Sequence, residues 1–180
     1  DVGFYKRNNL GAVTYFNKET FGEDKVVKHP YCNYPNFVEG LQGAKLSNEE
    51  AAQQAPLSET GKEQLLRVLK GGLHTIKVPQ SELRRYIRSH SYFDYLQNTL
   101  GVDDPGVLRM ARHSAADWGN GGADLMSIGG AKGAGAMGFA PVAVYDEENP
   151  YIHHFPDGNA GVARALVKKN GSQCGTGKKR

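Results

Sequence analysis

Between Ser58 and Gly119 the chain repeats one grammar: a capping residue, apolar positions three and four apart, then a glycine stop or a proline-led restart. That pattern commits the middle of the chain to short helices joined by tight turns. In "SETGKEQLLRVLKGG" Leu65, Leu66, Val68 and Leu69 share one broad face, and Gly71-Gly72 ends the run. "PQSELRRYIRSH" sets Leu83, Tyr86 and Ile87 at the same spacing. "SYFDYLQNTLG" opens with Ser91 as N-cap and Asp94 in the capping-box position, and stops at Gly101. "DDPGVLRMARHSAADWG" has Asp104 as cap, Pro105 at the first helical position and Gly119 as stop. Arg84, Arg85, Arg88, Arg109 and Arg112 fall on the polar sides of these helices. They read as solvated faces, because no glycine-rich or aromatic-interleaved stretch accompanies them.

The flanks are less regular. Residues 12–16, "AVTYF", and 24–27, "DKVV", alternate like short strands around "NKETFGE", where Asn17 and Gly22 suit a turn. The stretch 28–56 holds three prolines and little period, and reads as an irregular surface loop. Residues 119–141 are glycine-dense; strand-like "AVY" and "YIHHF" follow around a "DEENP" turn. The expected fold is therefore α+β: a small mixed sheet from the 12–27 and 142–155 strands, covered by the helices between 58 and 118.

Size and charge exclude several classes. At 180 residues one ordinary domain can bury a core. No apolar run approaches the roughly 20 residues of a membrane-spanning helix. The net charge of +3 owes much to Lys168, Lys169, Lys178, Lys179 and Arg180 at the chain's end, where "NGSQCGTGKKR" forms a tail without apolar period. That tail reads as disordered and solvated, so charge makes no case for nucleic acid. Cys32 and Cys174 are too few for a disulfide framework. The start at Asp1, with no initiator Met and no basic or apolar leader, reads as a chain cut from something longer.

Several motifs invite chemistry and fail on context. Gly133 to Gly138 satisfies GxGxxG, but Pro141 and a strand-like run follow where a dinucleotide site needs a helix. His29 and Cys32 have a His-x-x-Cys spacing without a second half, so no metal is assigned. His113 and Ser114 are adjacent on a helix, and no GxSxG is present, so no hydrolase is read. "YIHHFPDGNAGVARALVKK", residues 151–169, admits two readings. Asp157 caps an ordinary helix whose Ala160, Ala163, Leu166 and Val167 pack on a sheet, which the residues by themselves favour. Alternatively, Gly158 and Asn159 expose helix-start N–H groups to a ring, carbonyl or anion.

The same stretch closely resembles the "HFPDGNAxxARLLVR" signature of spermidine-dehydrogenase-like flavoproteins, FAD-dependent relatives of the amine oxidases within the NAD(P)-binding Rossmann-like group. "NNLGAVTYFNKETFGEDKVV" is similar to that family's hairpin, "IRSHSYFDYLQNTLGV" to its Ser-Tyr-x-x-Phe/Tyr-Leu helix, and "ARHSAADWGNGGADLMSIGGAKGAGAMGF" to its Trp-Gly-x-Gly-x-Asp-x-Leu segment. The resemblance spans about Leu10 to Lys168. It implies an internal fragment, with residues 1–168 a partial substrate-side domain of a two-domain flavoprotein and 169–180 a disordered or aberrant tail. It implies FAD as cofactor, held by a missing domain of the same chain, and a small amine or polyamine substrate. Asp157, Gly158 and Asn159 would lie beside the flavin ring. His153 or His154 would hold a deprotonated amine or tune the site, and Asp117, Asp124 or Asp157 would attract a polyamine. The resemblance names no catalytic residue. The implied chemistry is hydride transfer from the carbon next to nitrogen to flavin, with hydrolysis of the imine. The alternative is a non-catalytic, cofactor-free helical binding domain.

Overall fold

A computed structural model of the chain describes residues 7–8, 10–32, 46–119, 122–139 and 158–174. Strands β1 (Thr14–Phe16) and β2 (Lys25–Val27) pair antiparallel, with Thr14 opposite Val27 and Phe16 opposite Lys25. Two-residue alternation buries Phe16 and Val27 and leaves Tyr15 and Val26 outward. The expected turn between them is a single helical turn, α1 (Lys18–Phe21), closed by Gly22 at φ +85°. Among the described residues the sheet is this antiparallel pair. The expected 142–155 strands lie outside the described residues.

The irregular loop expected over 28–56 is corrected at its second half. Residues Asn48–Gln54 form helix α2. Its capping box is complete: the Glu50 N–H donates to Ser47 Oγ, and the Ser47 N–H donates to Glu50 Oε2. The buried face is made of Ala51 and Ala52, too small to produce a strong apolar period, so the Pro-rich context hid it.

Helix α3 (Glu59–Leu69) starts at Ser58, whose Oγ accepts from the Gly61 N–H. Leu65 and Val68 are fully buried, each contributing about 1.5–3 kcal/mol of transfer free energy. Leu66 and Leu69 pack at the edge of the same core. A short 3₁₀ turn (Leu73–Thr75) leads to α4 (Gln80–Ser89), which packs through Leu83, Tyr86 and Ile87. Helix α5 begins over Tyr92–Asp94, widens into a π-helical stretch at Tyr95–Thr99, and stops where Gly101 takes φ +63°. The Asp94 N–H donates to Ser91 Oγ, while the Asp94 carboxylate accepts from Asn98.

Helix α6 (Pro105–Gly119) starts as expected, with Asp104 Oδ1 accepting from the Gly106 and Val107 N–H groups. Buried Gln64 ties α3 to this start. Its carbonyl oxygen accepts from the Asp103 and Asp104 N–H groups at 2.9 and 2.8 Å, and its amide donates to the Asp103 carboxylate. Ser127 caps α7 (Ile128–Gly133), and the chain then runs into the core through Ala136, Met137, Gly138 and Phe139. Gly133 thus ends a helix, and Gly138 sits buried at φ +85° against the Val68 carbonyl, so the GxGxxG string serves packing. Tyr95 stacks on both Tyr92 and Phe139 at the centre, and Tyr92 meets Phe139 tilted. The Tyr92 hydroxyl donates to Met137 O at 2.8 Å, and the Gly72 N–H donates to the Tyr95 hydroxyl at 2.9 Å. No helix among the described residues is long and apolar enough to cross a membrane.

Helix α8 (Ala160–Cys174) differs from expectation twice. It continues through Asn170–Cys174, where the sequence reads as a tail. Its narrow face of Ala160, Ala163, Leu166 and Val167, expected to pack on a sheet, is exposed, with Val167 at 71%.

Candidate functional site

A cavity of about 420 Å³ opens between the β1–β2 hairpin, the Pro30–Cys32 turn and α6. Its wall is aromatic because the strand alternation turns Phe16 inward, where it meets Phe21 edge-on at 4.9 Å and Tyr31 at 5.7 Å. Tyr31 has a left-handed backbone, φ +53°, which costs a non-glycine residue about 1–2 kcal/mol. Three contacts offset that cost. The Tyr31 N–H donates to His29 Nδ1 at 2.9 Å, the hydroxyl donates to Ala51 O at 2.6 Å, and the ring meets His29 edge-on. Burial pushes the Tyr31 phenol well above its ordinary range, so it remains a donor.

The same contacts assign His29. An Nδ1 that accepts the Tyr31 N–H leaves the ring proton on Nε2, which faces Asn48 Oδ1 at 3.2 Å. Both ring nitrogens of the His-x-x-Cys pair's histidine are engaged in holding the turn. Cys32 is a buried thiol at the cavity wall. Among the described residues no three His, Cys, Asp or Glu side chains group as a metal site.

His113 and Ser114, which helical geometry separates by about 100°, both border this cavity. Ser114 Oγ donates to Ala111 O at 3.0 Å, so its hydroxyl is turned to its own helix. At the outer edge the Tyr15 hydroxyl and the Lys18 N–H both donate to Asp24 Oδ1. Those two bonds, the phenol's first, hold the Asp24 carboxyl below the usual range, and the shared bond raises Tyr15.

The flavin-facing residues expected from the sequence divide. Asp157, His153 and His154 lie outside the described residues. Gly158 and Asn159 head α8: the Gly161 N–H donates to Gly158 O and the Val162 N–H to Asn159 O. Both residues are exposed, Gly158 has φ +72°, and a side chain there would meet nothing within 4 Å. Of the acidic candidates, Asp124 already faces Arg112 at 3.8 Å, and the Asp117 side chain is outside the described set. Sequence reasoning missed the aromatic cavity, since its wall depends on the strained Tyr31 turn, for which no residue pattern signals. No protein-family model matches the chain, and a search of curated proteins returned no match.

Proposed function

We propose that residues 1–168 form the substrate-side part of an FAD-dependent oxidoreductase acting on amines, with a Rossmann-type domain elsewhere in the same polypeptide holding the cofactor's phosphates. The observation that carries this reading is the Phe155-Pro156-Asp157-Gly158-Asn159 signature leading into a helix. The local geometry supports it: a left-handed, side-chain-free residue at an open, fifteen-residue helix start leaves room for a flat ring to approach the backbone. When bound, FAD supplies hydride acceptance from the carbon beside the amine nitrogen. The chain's own residues then have three tasks. Gly158 and Asn159 present backbone groups to the ring. The cavity bordered by Tyr15, Phe16, Phe21 and Tyr31 offers an aromatic lining to the carbon chain of an alkylamine. His113 borders the same cavity and offers its ring nitrogens as hydrogen-bonding groups to the amine.

The test is the gene product expressed in its complete reading frame. A flavin band between ~350 and ~500 nm, bleached anaerobically by spermidine or a simple alkylamine, is expected. A folded product that neither retains FAD nor is reduced by any amine overturns the reading. That outcome would favour a cofactor-free helical binding domain, which the self-contained core around Tyr92, Tyr95 and Phe139 would suit.

A further inference from the structure

Helices α4 and α7 meet through Gly129, where an added side chain would sit 3.4 Å from the Ile87 carbonyl. Beside that contact lies a cleft of about 610 Å³. Its floor is apolar, from Leu73 and Ile87, and its walls carry Arg84 and Arg88 from α4 and Lys132 from α7. Arg84 and Arg88 stand one helical turn apart and therefore share a face. Among the described residues no Asp or Glu lines the cleft. Glu82, on the same helix, is two residues from Arg84 and so about 200° around the axis.

Several other cations are already engaged. Arg112 pairs with Asp124, Lys70 with Glu49, and Arg67 and Arg109 donate to backbone carbonyls. Among the described residues Arg84, Arg88 and Lys132 take part in no ion pair. Three like charges around one cavity repel, and a bound anion removes that repulsion. In the sequence these arginines lack a glycine-rich partner; the fold supplies one by laying Gly129, Gly130 and Gly133 across from them. Gly133 has nothing within 4 Å of its missing side chain, so the backbone is open to an approaching group.

We propose that this cleft binds an organic phosphate: a phosphate monoester held by the planar forks of Arg84 and Arg88 with Lys132 opposite, its apolar body on Leu73 and Ile87. The proposal is independent of the flavin reading and uses none of its residues.

The test is titration of the full chain with phenyl phosphate, inorganic phosphate and phenol, followed by backbone amide NMR shifts, with a parallel sedimentation assay on phosphatidate vesicles. Phenyl phosphate is expected to saturate shifts at Ile87, Gly129, Gly130 and Lys132 below ~10 mM, more tightly than inorganic phosphate, with phenol silent. Arg84→Gln/Arg88→Gln should weaken it at least tenfold, Arg88→Lys less, and Arg109→Gln not at all. All three substituted arginines are exposed, and unchanged circular dichroism checks that the fold survives. Rising salt should weaken binding, as for solvent-exposed charges. Absence of saturation, equal loss in Arg109→Gln, or binding only to phosphatidate vesicles and not to phenyl phosphate overturns the proposal.

Discussion

Three glycines separate two costs that a sequence cannot tell apart. Gly22 and Gly138 both have φ +85°, but a side chain at Gly22 meets nothing within 4 Å, whereas one at Gly138 would lie 2.5 Å from the Val68 carbonyl oxygen. Gly133 has neither a positive φ nor a neighbour within 4 Å. Alanine at Gly22 therefore incurs the left-handed penalty alone, about 1–2 kcal/mol. Alanine at Gly138 incurs the same penalty plus a backbone displacement in a packed core, about 1–3 kcal/mol more. The carbonyl is held in place, because it accepts the Gly71 N–H at 2.9 Å. Alanine at Gly133 gains up to about 1 kcal/mol of helix propensity. At about 2–4 °C per kcal/mol for a chain of this size, the melting temperature should fall by roughly 2–8 °C at Gly22→Ala and by roughly 4–20 °C at Gly138→Ala. It should hold or rise at Gly133→Ala. Differential scanning calorimetry of the four proteins at one pH decides it. Equal losses at Gly22 and Gly138 would falsify the close approach of residues 136–139 to α3, and with it the packing that defines the core.

Gln64→Leu keeps the volume but removes three bonds and strands the Asp103 and Asp104 N–H groups; a loss of about 2–4 kcal/mol by urea denaturation is expected, against near-neutrality if water replaces the side chain. Tyr31 and Tyr92 are both raised by burial, Tyr92 also by the neighbouring Tyr95 and Cys32 charges. Their folded states keep the proton where the unfolded chain, ionising near ~10, has lost it. The stability they contribute is whole below pH ~10 and lost as pH rises above it. Absorbance at 295 nm should show these two tyrosines ionising only together with unfolding; early, reversible ionisation of all nine tyrosines would contradict their burial.

The local rules of the sequence settled the helices. Ser58, Ser91 and Asp104 cap as their spacing requires, and Gly101 stops its helix in the left-handed conformation, because caps and stops are decided within a few residues. The Ser47-Asn48-Glu49-Glu50 box is equally local, but the helix it starts buries only Ala51 and Ala52 and leaves no strong apolar period. The strand pair followed from two-residue alternation in the same way. Tertiary structure alone decided the rest. Which glycines pack and which stand open, that Cys32, His113 and the Phe16–Tyr31 aromatics share one cavity, and that Arg84, Arg88 and Lys132 face one cleft are all set by contacts between segments far apart in the chain. Helical periodicity gives each side chain a direction on its own helix; only the packing of one helix on another decides what that direction meets.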